Sequence, residues 1–251
     1  MAHSGAEAAS IAYKVFTFKD KKKKPEESLS VSIPEVGLWL FCGIFSSVTS
    51  FEPSKVLDPQ YGMYVWPSAV VLAQYLWTYR DELKGKTVLE LGAGVGLPGV
   101  VAASCGAAVI LSDKPSCLQN CRRSCDANGL QEVALVGLKW GEVSPDLVLL
   151  PRLDVILGSD VFYDPRDFED VIVSVAFLLR KNPEAQFWTT YQLRSADWSI
   201  ESLLHRWKLN CVEVELDQFD ADGCDLAGSS LPGKHSIQMM IITQRTESGH
   251  G

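Results

Sequence analysis

The sequence predicts an α/β fold: a seven-stranded, mainly parallel sheet with helices on both faces, an antiparallel last strand, and a β-hairpin extension at the N-terminal side. Three observations carry that prediction. From about residue 87 onward, short β-rich runs alternate with helical ones, the pattern of parallel strands joined by crossover helices. The last two strand-like runs, 210–216 and 236–244, are joined only by a loop rich in Asp, Gly and Ser, so no crossover helix exists to make them parallel. Ahead of all this, two alternating runs, 11–18 (IAYKVFTF) and 28–34 (SLSVSIP), flank a charged turn and should pair as a hairpin.

The elements come in order. Gly62 to Arg80 opens with a turn, places Pro67 where a helix begins, and carries Val70, Val71, Tyr75 and Leu76 at helical spacing. It reads as an amphipathic helix covering the sheet. Beyond it come strand 87–92, helix 97–105, strand 107–112, helix 116–127, strand 133–139, strand 153–158, helix 167–180, strand 186–191, helix 195–206 and the two final strands. At 251 residues with 47% apolar side chains the chain suits one such domain, 60–245, with an extension at 1–59 and a short tail at 246–251. Within the extension, 37–55 is almost wholly apolar at its start and lacks an amphipathic period. It reads as inserted sequence, too short to span a bilayer.

The chemistry centres on Thr87 to Gly99, TVLELGAGVGLPG, where a β-branched run meets an acid and then glycines at 92, 94 and 96 before a helix of small residues. A strand that ends in a glycine turn at a helix start presents unpaired N–H groups to a ligand. Two registers are open. Gly94-x-Gly96-x-x-Gly99 with Asp113 about 20 residues on is a dinucleotide fingerprint. Glu90-x-Gly92-x-Gly94-x-Gly96 with the same Asp113 on the ribose hydroxyls is the S-adenosyl-L-methionine loop of class I methyltransferases, a Rossmann-like fold. The second accounts for more residues, because it gives Glu90 a task, facing the ammonium of the methionine end, and uses Gly92.

Bulk composition narrows the partners. A net charge of −8 and a pI near 5.1 argue against direct nucleic-acid binding and for a cationic partner such as a basic protein. The one basic run, Lys21 to Lys24, is balanced by Asp20, Glu26 and Glu27 and reads as a solvated hairpin tip rather than a nuclear signal. The first ten residues lack an apolar signal-peptide core and seven cysteines suit a reducing compartment, so the expected location is cytoplasmic and nuclear. Cys117, Cys121 and Cys125 recur every fourth residue and read as small core residues; no metal site is expected.

In an open α/β sheet ligands lie beyond the carboxyl ends of the strands. Those ends are the glycine loop, Ser112–Asp113, Lys139–Gly141 and Gly158–Tyr163. Taken together, GMYVW at 62–66, ELGAGVGLPG at 90–99, LSD at 111–113, LKWG at 138–141 and SDVFY at 159–163 resemble the family-16 seven-β-strand protein methyltransferases over about residues 60–245. The resemblance implies that Trp66, Glu90, Gly92, Gly94, Gly96, Asp113, Trp140 and Ser159 line S-adenosylmethionine. It further implies that Asp160 and Tyr163, the ends of an Asp-x-x-Tyr motif, hold the nitrogen that receives the methyl group. The middle residues Val161 and Phe162 depart from the Pro-Pro of nucleobase, glutamine and N6-adenine enzymes.

The expected function is therefore methyl transfer to a lysine or arginine nitrogen of a protein, with histones and other basic proteins as fitting substrates. Deprotonating a lysine at pH 7 costs about 4.6 kcal/mol and an arginine about 9, so an arginine enzyme needs carboxylates that orient the guanidinium and take the proton as the bond forms. Asp160, Asp164 and Asp167 are placed to serve, but acids at a helix start are also common without function, and the residues leave lysine and arginine open. Two alternatives differ in class: a non-catalytic module that binds chaperones or transcription factors, and a nicotinamide-dependent oxidoreductase.

Overall fold

The computed structural model describes residues 12–22, 26–35, 62–195, 198–233 and 236–245; the apolar 37–55 segment, Lys23, Lys24, His235 and the tail lie outside them. The hairpin pairs β1 (Ala12–Asp20) with β2 (Glu27–Glu35) through nine consecutive residue pairs. At its tip Lys21 and Lys22 are exposed as expected and Lys19 pairs with Glu26 at 2.9 Å, but Asp20 and Glu27, expected to balance the lysines, bind Arg80 instead.

Next come α1 (Pro67–Thr78), α2 (Arg80–Leu83), β3 (Thr87–Leu91), α3 (Leu97–Ser104), β4 (Ala108–Asp113), α4 (Leu118–Ala127), β5 (Ala134–Gly137) and α5 (Pro145–Val148). The chain continues with β6 (Val155–Ser159), α6 (Phe168–Lys181), β7 (Gln186–Gln192), α7 (Glu201–Arg206), β8 (Leu209–Val214) and β9 (Ile237–Gln244). The seven-stranded sheet has the order β5-β4-β3-β6-β7-β9-β8. The first five of these are mutually parallel, while β9 runs antiparallel to both β7 and β8. The last strand thus inserts between its predecessors and is the one reversed strand of the sheet, as the missing crossover helix requires.

Three local differences from the sequence reading have physical causes. The helix expected to be amphipathic, α1, is buried at every position from Pro67 to Trp77, because β7 and β9 of the sheet, the neighbouring α3 and the hairpin strand β1 with Phe16 and Phe18 all pack against it. The hairpin is thus part of the domain's own core. Of the helix expected over 195–206, Glu201–Arg206 is helical, residues 196 and 197 lie outside the described ones, and the approach is held by a backbone bond from Leu193 N–H to Ser236 O (2.8 Å) and by Trp198 packed on Phe168. Short α5 went unforeseen, although Ser144 caps it by accepting from Leu147 N–H (3.2 Å) and Pro145 opens it.

The hairpin tip is locked by one guanidinium. Arg80 Nη1 donates to Asp20 (3.0 Å) and to Trp77 O (2.8 Å), Nη2 donates to Glu27, and the group lies 4.3 Å from the Trp77 ring. Asp20 and Arg80 are 5% and 7% exposed, so removing the arginine leaves a buried carboxylate without its cation, though Oδ1 still accepts from Lys22 N–H (3.0 Å). Arg80→Ala is expected to lower unfolding free energy by about 3 kcal/mol, read from urea denaturation. A loss under about 1 kcal/mol, the ordinary worth of an exposed pair, contradicts a locking role for Arg80.

Candidate active site

At the end of β3 the chain turns through Gly92, Gly94 and Gly96, all with left-handed φ (63°, 57° and 74°). Side chains are excluded here for two reasons. The backbone sits where L-residues are strained, and a Cβ on Gly92 would lie 2.6 Å from Trp140 Cζ2. Gly96 then serves as the N-cap of α3.

Glu90 is completely buried beneath this turn. Its Oε2 accepts from Gly99 N–H (2.9 Å) in the first turn of α3, while Oε1 has no hydrogen-bond partner among the described residues. Burial pushes its carboxyl up to about 8; the Gly99 N–H opposes this and the charge of Asp113 adds to it. The same carboxylate explains Gly99, where a Cβ would come within 2.6 Å of Oε2 and 2.1 Å of Leu111 Cδ2. An acid whose folded pKa is raised stabilises the fold fully below its unfolded pKa of 4.5 and loses that contribution as pH rises to about 8. Between those limits the ligand-free protein is expected to lose up to about 5 kcal/mol of stability, and Glu90→Gln to remove that slope. Equal slopes for parent and variant in denaturation series at pH 5 to 8 contradict this assignment.

Asp113 ends β4 and clamps the loop: Oδ2 accepts from Gly94 N–H (2.7 Å) and Oδ1 from Lys114 N–H (2.6 Å). Burial raises its carboxyl, against the pull of those two N–H groups. A carboxylate has about four acceptor positions, so it retains capacity for hydroxyls of a ligand. Gly62 lies on the same loop: its Cα is 3.7 Å from where a Gly94 Cβ would be, and its carbonyl accepts from Asn120 Nδ2 (3.1 Å). This brings the segment with Trp66, the N-cap of α1, close to the glycine loop. Cys121 and Cys125 are buried, as the helical spacing suggested, and Cys121 Sγ donates to Gly94 O (3.1 Å). Cys117 instead stands half-buried as the N-cap of α4, near the Asp113 carboxylate.

Trp140 joins the two halves of the site. Its indole packs on Gly92, and its ring meets Tyr163 edge-on at 6.1 Å. Gly141 beside it is a tight turn against α6, where a Cβ would strike Asp170 at 2.5 Å. After β6, Ser159 is half-buried and Asp160 is 5% exposed with a left-handed φ of 55°. Nothing in the spacing of the sequence marks what Asp160 touches: Arg194 Nη1 and Nη2 donate to its two oxygens at 2.9 and 2.5 Å. Asp164 is in a similar fork, with Arg166 Nε (3.0 and 3.1 Å) and Nη2 (2.5 Å), which holds its carboxyl below the usual range. Among the described residues no cluster of three or more His, Cys, Asp or Glu is arranged to hold a metal.

The sequence profile of a family described as lysine methyltransferase matches residues 54–201. The histone-arginine methyltransferase METTL23 of Xenopus laevis is 55% identical over 244 residues, 96% of each chain. That agrees with the motifs FEDVI at 168–172 and YQLRSADWS at 191–199, which look most like methyltransferase-like protein 23. Protein N-lysine methyltransferase METTL21A of Mus musculus is 38% identical over 126 residues, 47% of this chain and 56% of that one. Among solved structures, the YcgJ protein from Bacillus subtilis has a TM-score of 0.51 at 11% identity, covering 70% of this chain and 99% of that one, a likeness of fold alone.

Proposed function

This chain belongs to the lysine methyltransferase family, and we propose that the acceptor of its methyl group is an arginine side chain of a histone or another basic protein. It is an S-adenosyl-L-methionine-dependent protein methyltransferase; the family name and the 55%-identical relative differ only over the acceptor. The cofactor fits this chain on structural grounds: three glycines at left-handed φ at a helix start, a buried Glu90 oxygen with no hydrogen-bond partner among the described residues, and Asp113 with acceptor capacity to spare. Trp66, Glu90, Gly92, Gly94, Gly96, Asp113, Trp140 and Ser159 would hold it. The dinucleotide register gives Glu90 and Gly92 no part, and an all-parallel sheet would have gone with it.

When bound, the cofactor would supply an electrophilic sulfonium methyl whose leaving group is a neutral thioether. The protein must then bring a nitrogen lone pair in line and receive its proton. In this reading Asp160 and Tyr163 hold the acceptor nitrogen, with the proton passing to a carboxylate as the N–C bond forms. One observation carries the arginine choice: the relative that matches 96% of this chain at 55% identity is a histone-arginine methyltransferase, whereas the lysine-directed METTL21A matches 47% of it at 38%.

A net charge of −8 favours approach by a basic protein. The retention of Glu90, Asp113, Asp160 and Tyr163 together supports catalysis over a role confined to binding chaperones or transcription factors. Residence in the cytoplasm and nucleus belongs to the same proposal, resting on seven cysteines and on histones as substrates. Core histones incubated with isotopically labelled cofactor and digested for mass spectrometry decide the acceptor. Label on arginine is expected; label on lysine alone overturns the proposal.

A further inference from the structure

Asp160 does not stand by itself at the acceptor end. We propose that Arg194 is a positioning residue for methyl transfer: it fixes the plane of the Asp160 carboxylate and cancels its charge, leaving that carboxylate to accept a single N–H of the substrate. This role for Arg194 rests on Asp160 being a holder of the acceptor nitrogen.

The pair is built from both strands that flank it. Asp160 leaves β6 in a left-handed conformation unusual for a residue with a Cβ, and its N–H is tied to Thr190 O of β7 (2.8 Å). Its side chain reaches the segment just after β7. There Arg194 donates to both oxygens, and Nη1 also reaches Gln192 O (3.3 Å), while Gln192 N–H lies 3.4 Å from Oδ1. Leu193 between them is held by Ser236 O (2.8 Å), and the chain beyond is pinned where Tyr191 Oη donates to Trp198 O (3.1 Å). The guanidinium is thus fixed before any substrate arrives.

The two aspartate–arginine forks differ in how tightly they are kept. The side chains of Asp160 and Arg194 are 4% and 21% exposed, whereas Arg166 on Asp164 is 68% exposed. A buried pair is a poor source of stability, because desolvation offsets its attraction; here it stands at the end of a strand where ligands bind. Its chemical consequence comes from counting acceptors. Of about four lone-pair positions on Asp160, Arg194 occupies two and the Gln192 N–H faces a third. A second two-pronged fork cannot fit, so Asp160 takes one N–H from the substrate. Neutralised by Arg194, it also does not hold the acceptor in its cationic, non-nucleophilic form.

The test measures methyl transfer from labelled S-adenosylmethionine to core histones and to poly-arginine, with S-adenosylhomocysteine affinity by calorimetry alongside. Arg194→Ala is expected to lower kcat about 100-fold with cofactor affinity within about threefold of the parent, and methylguanidinium in solution should restore part of the lost kcat. The double variant with Asp160→Asn should be no slower than Asp160→Asn alone, since the two residues act as one unit. Arg194→Lys keeps the charge but meets one oxygen, and should lose about tenfold in kcat. Parent kcat in either Arg194 variant, or an equal loss of cofactor affinity and kcat in Arg194→Lys, overturns the proposal. Full activity of Asp160→Asn would instead refute the role of Asp160 itself.

Discussion

Asp160→Asn is expected to reduce turnover by about two to three orders of magnitude while leaving S-adenosylhomocysteine affinity within about threefold of the parent. The substitution keeps size and one carbonyl acceptor but removes the charge. Asparagine also tolerates the left-handed φ of 55°, so the backbone at the end of β6 should be retained. Arg194 loses the charge opposite it but is 21% exposed and keeps its contact with Gln192 O, so the fold should survive. Steady-state kinetics and calorimetry on the same preparation separate the outcomes. Equal losses of affinity and turnover would make Asp160 a structural or cofactor residue.

The second large effect lies at the other end of the site. Asp113→Ala removes the acceptor of Gly94 N–H and with it the clamp on the glycine loop, besides the groups expected to meet the ribose hydroxyls. Losing these hydrogen bonds in a partly buried site should weaken S-adenosylhomocysteine binding by about 1.5 to 3 kcal/mol, roughly ten- to hundredfold. Asp113→Asn retains one acceptor for Gly94 and should lose less. A variant that binds like the parent would show that the loop is not held, and the ligand not met, by this carboxylate.

What was legible in the sequence was local. The glycine loop, Glu90 and Asp113 lie within one strand, turn and helix and the end of the next strand, so spacing alone places them. The reversed last strand could be read from a missing crossover helix, a constraint of connectivity that needs no knowledge of packing. What escaped depends on residues brought together by folding. Asp160 and Arg194 are 34 positions apart and meet only because β6 and β7 pair in parallel with Ser159 opposite Thr190. The full burial of α1 escaped because part of its cover, the hairpin strand β1, comes from more than 30 residues upstream. Cys117 shares the spacing of Cys121 and Cys125, but α4 begins at Leu118, two residues later than expected, which leaves Cys117 as its N-cap near Asp113. Helical period predicts which residues share a face, and it fails at the cap where the helix starts.

The central claim, that the turn from Glu90 to Gly96 with Asp113 is built for S-adenosylmethionine, is tested most directly by titrating S-adenosylhomocysteine and NADH into the same protein in a calorimeter. Saturable binding of S-adenosylhomocysteine near one equivalent is expected, with no heat from NADH beyond dilution. Saturable binding of NADH with none of S-adenosylhomocysteine would contradict the claim.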